Sequence, residues 1–197
     1  AAALVSGTVL THSASETVTK ALRAAGRAGA LSRVVVAEGR PGFEGRQVAR
    51  ALAEEGIPVT LVVDAALGLH AREADVAVVG ADAILADGAL VNKVGTRLLA
   101  LACERAGTPL RAVADRFKVS PSATLPLEEK GAAEVWPDAP PGVQARNIYF
   151  DRTEAPLVGG YVTDQGLLAP ADVTRLAQEH AGWTDWEARM RRGARGR

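Results

Sequence analysis

An acid, an amide and an ammonium lie close together in the stretch VVGADAILADGALVNKVGT, residues 78–96. Asp82 follows directly on the apolar run Val76-Ala77-Val78-Val79, and Asn92-Lys93 stand just before a helix that opens near Gly95-Thr96. A carboxyl group can move a proton, whereas an amide and an ammonium hold hydroxyls and phosphate. The same kind of residue follows each of the other apolar runs. Thr11-His12-Ser13 follows the first, Glu38-Gly39-Arg40-Pro41 the second and Asp64 the third, while Asp115 follows the fifth with Lys118 three residues on. Ser13 and Asp64 read equally well as helix caps, the ordinary use of such residues at strand ends. As a set, the five segments point to a ligand site.

That conclusion depends on the elements that place them. The strand signals fall at Val5–Leu10, Arg33–Ala37, Pro58–Val63, Asp75–Val79 and Leu110–Ala114. Helical spacing fills the gaps at Ser13–Ala28, Glu44–Glu55, Ala65–Arg72 and Thr96–Ala106, with glycines at Gly56 and Gly107 as stops. Alternating strands and helices without a period-2 pattern predict a three-layer α/β fold: a Rossmann-like parallel sheet with helices on both faces. All carboxyl ends of such strands share one edge, where open α/β sheets bind ligands. A proline-bearing stretch, residues 120–142, reads as a long surface excursion. Strands at Asn147–Asp151 and Tyr161–Thr163 and a capped helix at Pro170–Glu179 follow it. The expected organisation is one domain over residues 1–182 and an arginine-rich tail over 183–197.

The candidate ligand is an anion. Arg40 and Arg46 flank Pro41-Gly42-Phe43-Glu44-Gly45, a loop leading into a helix, and Lys93 precedes another helix. Helix N-termini present free N–H groups and partial positive charge. Neither the G-x-x-x-x-G-K-[ST] loop nor a G-x-G-x-x-G turn is present, so a nicotinamide dinucleotide is not favoured and no cofactor is expected.

Bulk composition removes other classes. Lys plus Arg and Asp plus Glu each number 23, so no net field draws the chain to nucleic acid or anionic lipid. Cys103 is the single cysteine, which rules out an internal disulfide, disfavours cysteine-ligated zinc and fits a reducing cytoplasm; no metal site is expected. Inside its helix, Cys103 reads as a small buried apolar residue. No apolar run reaches the ~20 residues that span a bilayer, and the first residues lack the pattern of a signal peptide.

In order and spacing, Val9-Leu10-Thr11-His12-Ser13, Glu38-Gly39-Arg40-Pro41, Gly80-Ala81-Asp82 and Asn92-Lys93-Val94-Gly95-Thr96 resemble one family. It contains the alpha, beta and delta subunits of eukaryotic translation initiation factor 2B, together with isomerases of methylthioribose 1-phosphate and ribose 1,5-bisphosphate. The resemblance runs over roughly residues 5–165 and includes Asp115-Arg116-Phe117-Lys118. It implies a Rossmann-like domain that forms a homodimer and a sugar-phosphate pocket at the strand ends. By motif match, Thr11, His12, Glu38, Arg40, Gly45, Asn92, Lys93 and Lys118 belong to the binding site, and Asp82 matches the catalytic aspartate.

Two departures shape the functional expectation. Where the isomerases carry a catalytic cysteine, this chain has Ser13. A thiol of pKa about 8.5 loses its proton readily, and a hydroxyl does not. Family members also carry an N-terminal helical domain that completes the isomerase pocket, for which the 197 residues leave no room. The expectation is therefore an initiation-factor-2B-like protein that binds a phosphorylated sugar or nucleotide without efficient catalysis, in a regulatory or translation-related role with a translation factor as candidate partner. The alternatives are an aldose-1-phosphate to ketose-phosphate isomerase, with Asp82 and Ser13 as its catalytic pair, and an interaction module with a vestigial pocket.

Overall fold

Runs such as Val34-Val35-Val36 and Val76-Ala77-Val78-Val79 have no polar side to turn to water, and the chain buries both of their faces. In the computed structural model, which describes residues 4–181, these runs are the middle of a seven-stranded sheet. Its strands are β1 (Gly7–Thr11), β2 (Leu31–Ala37), β3 (Val59–Val62), β4 (Val76–Val79), β7 (Leu110–Val113), β11 (Tyr161–Thr163) and β12 (Gly166–Leu168). The spatial order is β3-β2-β1-β4-β7-β11-β12. Neighbours run parallel, except that β12 returns antiparallel beside β11.

Alternate residues of each strand feed two separate cores. Val9, Val34, Val36, Val76 and Val78 pack with Val18 and Leu22 of α1 (Glu16–Arg27) and with Val48 and Leu52 of α2 (Glu44–Ala53). Leu10, Val35, Ala37, Ala77 and Val79 face the other way. There they meet Leu99 and Cys103 of α3 (Thr96–Ala106), Val173 and Leu176 of α4 (170–181) and Leu67 of a 3-10 segment, Asp64–Glu73. The architecture is the expected three-layer α/β sandwich.

Three local features differ from the sequence expectation. The helix expected at Ala65–Arg72 is a 3-10 helix over Asp64–Glu73. The single strand expected at Asn147–Asp151 is two, β9 (Asn147–Ile148) and β10 (Phe150–Thr153). β10 pairs antiparallel with β6 (Leu90–Lys93), which pairs with β5 (Ala83–Ile84), so a small second sheet stands beside the carboxyl edge of the large one. In that sheet Asp151 lies opposite Asn92, and Phe150 opposite Lys93. The excursion carries β8 (Glu129–Lys130), which pairs with β9. The excursion is tied down at its start, where Ser120 N donates to Ile84 O at 2.7 Å and Ala86 N donates to Ser122 O at 3.0 Å. The arginine-rich tail, 183–197, lies outside the described residues. Among the described residues no helix is long and apolar enough to cross a membrane.

Candidate active site

β1 has β2 on one side and β4 on the other, so the loops leaving β1 and β4 diverge and open a crevice at the carboxyl edge. A cavity of about 250 Å³ fills that crevice, lined by Ser15, Thr17, Gly80, Asp82, Asn92 and Lys118 among others. Helix α1 starts there: Ser15 is its N-cap and accepts from Val18 N at 3.4 Å. Gly80 permits that close approach, since a Cβ on it would lie 2.7 Å from Ser15 Cβ.

Asp82 is held at the cavity by its backbone N–H, which donates to Val91 O of β6 at 2.9 Å. Its carboxyl is open to solvent on one side, yet burial by the surrounding walls raises its pKa above the usual carboxylate value. The positive charges of Lys118 and Lys93 oppose that rise without cancelling it, while Glu128 adds to it. Asn92 is buried and oriented: its Nδ2 donates to Thr96 Oγ1 at 2.9 Å, and Thr96 Oγ1 donates to Lys93 O at 2.7 Å. Its Oδ1 is turned toward Gly80. Lys118 ends a 3-10 turn, Arg116–Lys118, capped by Asp115, whose Oδ1 accepts from Phe117 N at 2.9 Å. The Lys118 side chain is exposed and makes no ion pair among the described residues.

A second group of predicted residues gathers around the loop before α2. Lys93 is buried, and its Nζ donates to Glu44 Oε1 at 2.8 Å. Tyr149 OH donates to the same oxygen at 2.9 Å. Burial pushes the Glu44 pKa up, but hydrogen bonds from Lys93, its own backbone and Tyr149 outweigh it and hold the carboxyl below its usual value. Arg40 Nη2 donates to Val135 O of the excursion at 3.1 Å, and Glu38 accepts from Arg46 at 2.8 Å. Gly45 packs rather than offering an open amide pocket: a Cβ there would lie 1.8 Å from Ala37 O. Asp64, one of the two candidate caps, instead accepts from Gly39 N at 2.8 Å and Arg40 N at 2.7 Å, fixing the loop.

Thr11 and His12 are buried behind this edge. His12 Nε2 lies 2.7 Å from Val94 O, and since a carbonyl only accepts, Nε2 is the protonated donor. Nδ1 lies 3.8 Å from Asp64 Oδ1, so both ring nitrogens face partners within the fold and neither serves Ser13 as a base. Ser13 sits in the left-handed region at φ 63° and makes no side-chain hydrogen bond among the described residues. Such backbone costs of order 1 kcal/mol and concentrates at functional sites. Ser13 does not line the cavity, although the next two residues, Ala14 and Ser15, do.

Three helix N-termini meet at this edge, and the chain's own carboxylates fill two of them. Glu44 occupies that of α2. Asp151 caps α3, accepting from Gly95 N at 2.7 Å and Arg97 N at 3.2 Å. Only α1 opens onto the cavity that also holds Asp82, Asn92 and Lys118. A larger cavity, about 370 Å³, lies beside His12 and Asp64 but is lined mostly by apolar groups, Leu67, Leu98 and Leu99 among them, and by no lysine or arginine. The smaller one brings Lys118 and the start of α1 together, beside the acidic side chains of Glu16, Asp82 and Asp115. Among the described residues no group of three or more His, Cys, Asp or Glu is placed to hold a metal ion. Sequence reasoning missed Ser15, Glu44, Tyr149, Asp151 and Lys130. Only Ser15 carried a local signal, a serine directly before Glu16 at a helix start.

The Initiation factor 2 subunit family model matches residues 3–170. Ribose 1,5-bisphosphate isomerase of Methanocaldococcus jannaschii is 35% identical over 184 residues, covering 90% of this chain and 60% of that protein. The crystal structure of translation initiation factor eIF-2B from Pyrococcus horikoshii OT3 superposes with a TM-score of 0.79 at 36% identity, over 87% of this chain and 62% of that one. 5-Methylthioribose 1-phosphate isomerase from the same organism gives a TM-score of 0.81 at 28% identity, over 90% of this chain and 55% of that one. The chain thus spans about 60% of the length of the relatives it matches.

These likenesses correct the expectation of a phosphate-binding protein without efficient catalysis in a regulatory or translation-related role. That expectation rested on Ser13 in place of a thiol and on a length read as too short for the family's N-terminal helical domain. Relatives named as isomerases match along 90% of this chain, and the chain keeps a carboxyl of raised pKa at the cavity, which together outweigh those two departures.

Proposed function

We propose that this chain, which belongs to the initiation factor 2 subunit family, is the Rossmann-like part of a sugar-phosphate isomerase that converts an aldose 1-phosphate into a ketose phosphate, of the ribose 1,5-bisphosphate type. The observation that carries the reading is Asp82: a carboxyl of raised pKa, at the strand switch point, beside Asn92, Lys118 and the Ser15-capped N-terminus of α1 in one cavity. Burial favours the protonated form of this carboxyl more than in an ordinary aspartate, which suits a group that must give and take a proton.

In this reading Lys118 and the first N–H groups of α1 hold a phosphate, and Asn92 Oδ1 accepts from a sugar hydroxyl. Asp82 gives its proton to the ring oxygen as the bond from that oxygen to C1 breaks. The Asp82 carboxylate then takes the C2 proton as an enol forms between C1 and C2, returns it to C1, and takes the enol proton as the ketone forms, which restores its starting protonated state. Ser13 stands where the isomerases carry their thiol but does not line the cavity, and without that thiol turnover is slow. We further propose that the protein is a homodimer, and that it works in the cytoplasm, where its phosphorylated substrate and the single buried thiol of Cys103 both belong.

Phosphorus NMR of ribose 1,5-bisphosphate and methylthioribose 1-phosphate with the purified protein tests the reading. Asp82→Asn should slow product formation by roughly 10²–10⁴-fold, the usual share of one acid–base group. Ser13→Cys should raise it. Absence of product from both sugars, with Ser13→Cys included, would sink the isomerase reading.

A further inference from the structure

The turn between β6 and α3 follows directly on Asn92 and Lys93, and three contacts hold its backbone. Val94 N donates to Tyr149 O at 2.9 Å, Gly95 N donates to Asp151 Oδ2 at 2.7 Å, and Val94 O accepts from His12 Nε2 at 2.7 Å. The first two come from the segment of β9 and β10, beside the small sheet. The third ties the turn to the end of β1, and so to the large sheet.

The fit at that third contact is close. Gly95 adopts φ 105°, and a Cβ there would lie 2.9 Å from His12 Nε2. The turn reaches the ring only because residue 95 has no side chain. The ring itself is buried, and Asp64, which holds the backbone of Gly39 and Arg40, stands 3.8 Å from its other nitrogen.

His12 lines the larger, apolar cavity and not the one that holds Asp82. Its influence on the Asp82 cavity runs through the turn. Asn92 Nδ2 donates to Thr96 Oγ1, and Thr96 Oγ1 donates to Lys93 O, so the first residue of α3 sets the Asn92 side chain. A partly buried carbonyl such as Val94 O is costly to leave without its donor. A turn released from His12 therefore moves to regain a partner, Thr96 moves with it, and Asn92 Oδ1 loses its place beside Gly80.

We propose that His12 is a positioning residue, which keeps Asn92 Oδ1 in the Asp82 cavity by clamping the β6–α3 turn to the end of β1. The proposal rests on the isomerase reading of that cavity and adds to it a residue that never touches the substrate. The imidazole acts as a rigid donor at Nε2, and its titration plays no part.

His12→Gln and His12→Asn test this. A glutamine amide reaches the position of the imidazole Nε2, whereas an asparagine amide stops near that of Nδ1, short of Val94 O. Amide hydrogen exchange needs no substrate and reads the turn directly. His12→Asn should speed exchange at Gly95 and Arg97 by about tenfold, the scale of one lost hydrogen bond, and His12→Gln should keep it near the wild type. With ribose 1,5-bisphosphate, His12→Asn should raise KM by about tenfold and change kcat less, because Asn92 binds the sugar and Asp82 is untouched. His12→Gln should recover most of that loss and keep the pH profile of the wild type. In an Asn92→Ala background His12→Asn should add less than about twofold, since residues that act through one another are not additive.

Wild-type exchange at the turn in folded His12→Asn overturns the clamp. An undiminished effect of His12→Asn in the Asn92→Ala background overturns the route through Asn92. Equal loss of kcat in both variants, with one limb of the pH profile gone, makes His12 a titrating catalytic group and overturns the positioning role. If His12→Asn does not fold, His12→Gln decides alone: wild-type kcat and pH profile support the role, and their loss overturns it. A wild type that turns over no sugar phosphate removes the isomerase reading, and exchange at the turn then decides the clamp separately.

Discussion

Asp82 is a carboxyl whose ionised form the fold disfavours, because burial raises its pKa further than Lys118 and Lys93 lower it. The effect on stability has a definite sign. Below the unfolded Asp pKa of about 3.9 the group is protonated in both states and costs nothing. As pH rises through the folded pKa the group ionises in both states, and the penalty is then fully present. Asp82→Asn is therefore expected to raise the midpoint of thermal unfolding near neutral pH while it slows turnover, the exchange of stability for activity common at catalytic residues. Calorimetry from about pH 3.5 to pH 8 should show the gain shrinking to nothing at the acid end. A variant less stable than the wild type at neutral pH would remove the strain argument for Asp82. Asp82, Asn92 and Lys118 were legible in the sequence because parallel strands send their carboxyl ends to one edge, whatever the loops do. Cys103 was legible as a buried residue from its place within α3; burial pushes its thiol up to about 11. Glu44 and Lys130 were not legible. Glu44 reads as an ordinary acid in the first turn of α2, and its contacts with Lys93 and Tyr149 join residues 49 and 105 positions away.

At the scale of elements, the three helix starts decide where an external anion fits. Asp151 is the clearest case, since it arrives from β10 and caps a helix more than 50 positions earlier in the chain. Replacing a capping side chain by alanine costs about 0.5–2 kcal/mol. In a domain of this size each kcal/mol lowers the melting midpoint by about 2–4 °C. Asp151→Ala should therefore melt roughly 1–8 °C below the wild type, and Asp151→Asn, which keeps an acceptor oxygen, should recover most of the loss. Circular dichroism melts of both variants check this. Equal loss in both would mean that the charge, and not the hydrogen bonds to Gly95 and Arg97, sustains the start of α3. The long strands and helices of the main sheet were readable from apolar runs and glycine stops. The small β10-β6-β5 sheet was only half readable. A strand near residue 150 was readable, but its antiparallel pairing with β6 was not, because that register is set by contact across the fold and not by local pattern.

For the whole molecule, the order β3-β2-β1-β4-β7 and the two-faced core follow from the alternation of apolar runs with helices, and they were readable together. The coverage of the outer face of α3 was not. The run Leu98-Leu99-Ala100-Leu101-Ala102 is more apolar than one buried helix face requires, and the 120–142 excursion is a segment long enough to cover it. It does not: Leu98 is 72% exposed, and Leu69 on the neighbouring 3-10 helix is 79% exposed. Leu61 and Val63, at the end of β3 and just beyond it, are exposed as well. Two cavities that share Gly68 lie beside these leucines, one bordered by Leu98 and the other by Leu69 and Ala102. A surface with projecting leucines beside apolar hollows is self-complementary in character, which suits the two-fold pairing of identical chains. The carboxyl-edge crevice is lined by none of these leucines, so a second copy seated there would leave it open. Sedimentation equilibrium at micromolar concentration should then give twice the chain mass of 20.4 kDa for the wild type. Leu98→Asp and Leu69→Asp should each give the single-chain mass, because a buried carboxylate at the centre of such a contact costs several kcal/mol. A wild type that sediments at 20.4 kDa would remove the homodimer, and variants that stay dimeric would move the interface to another face.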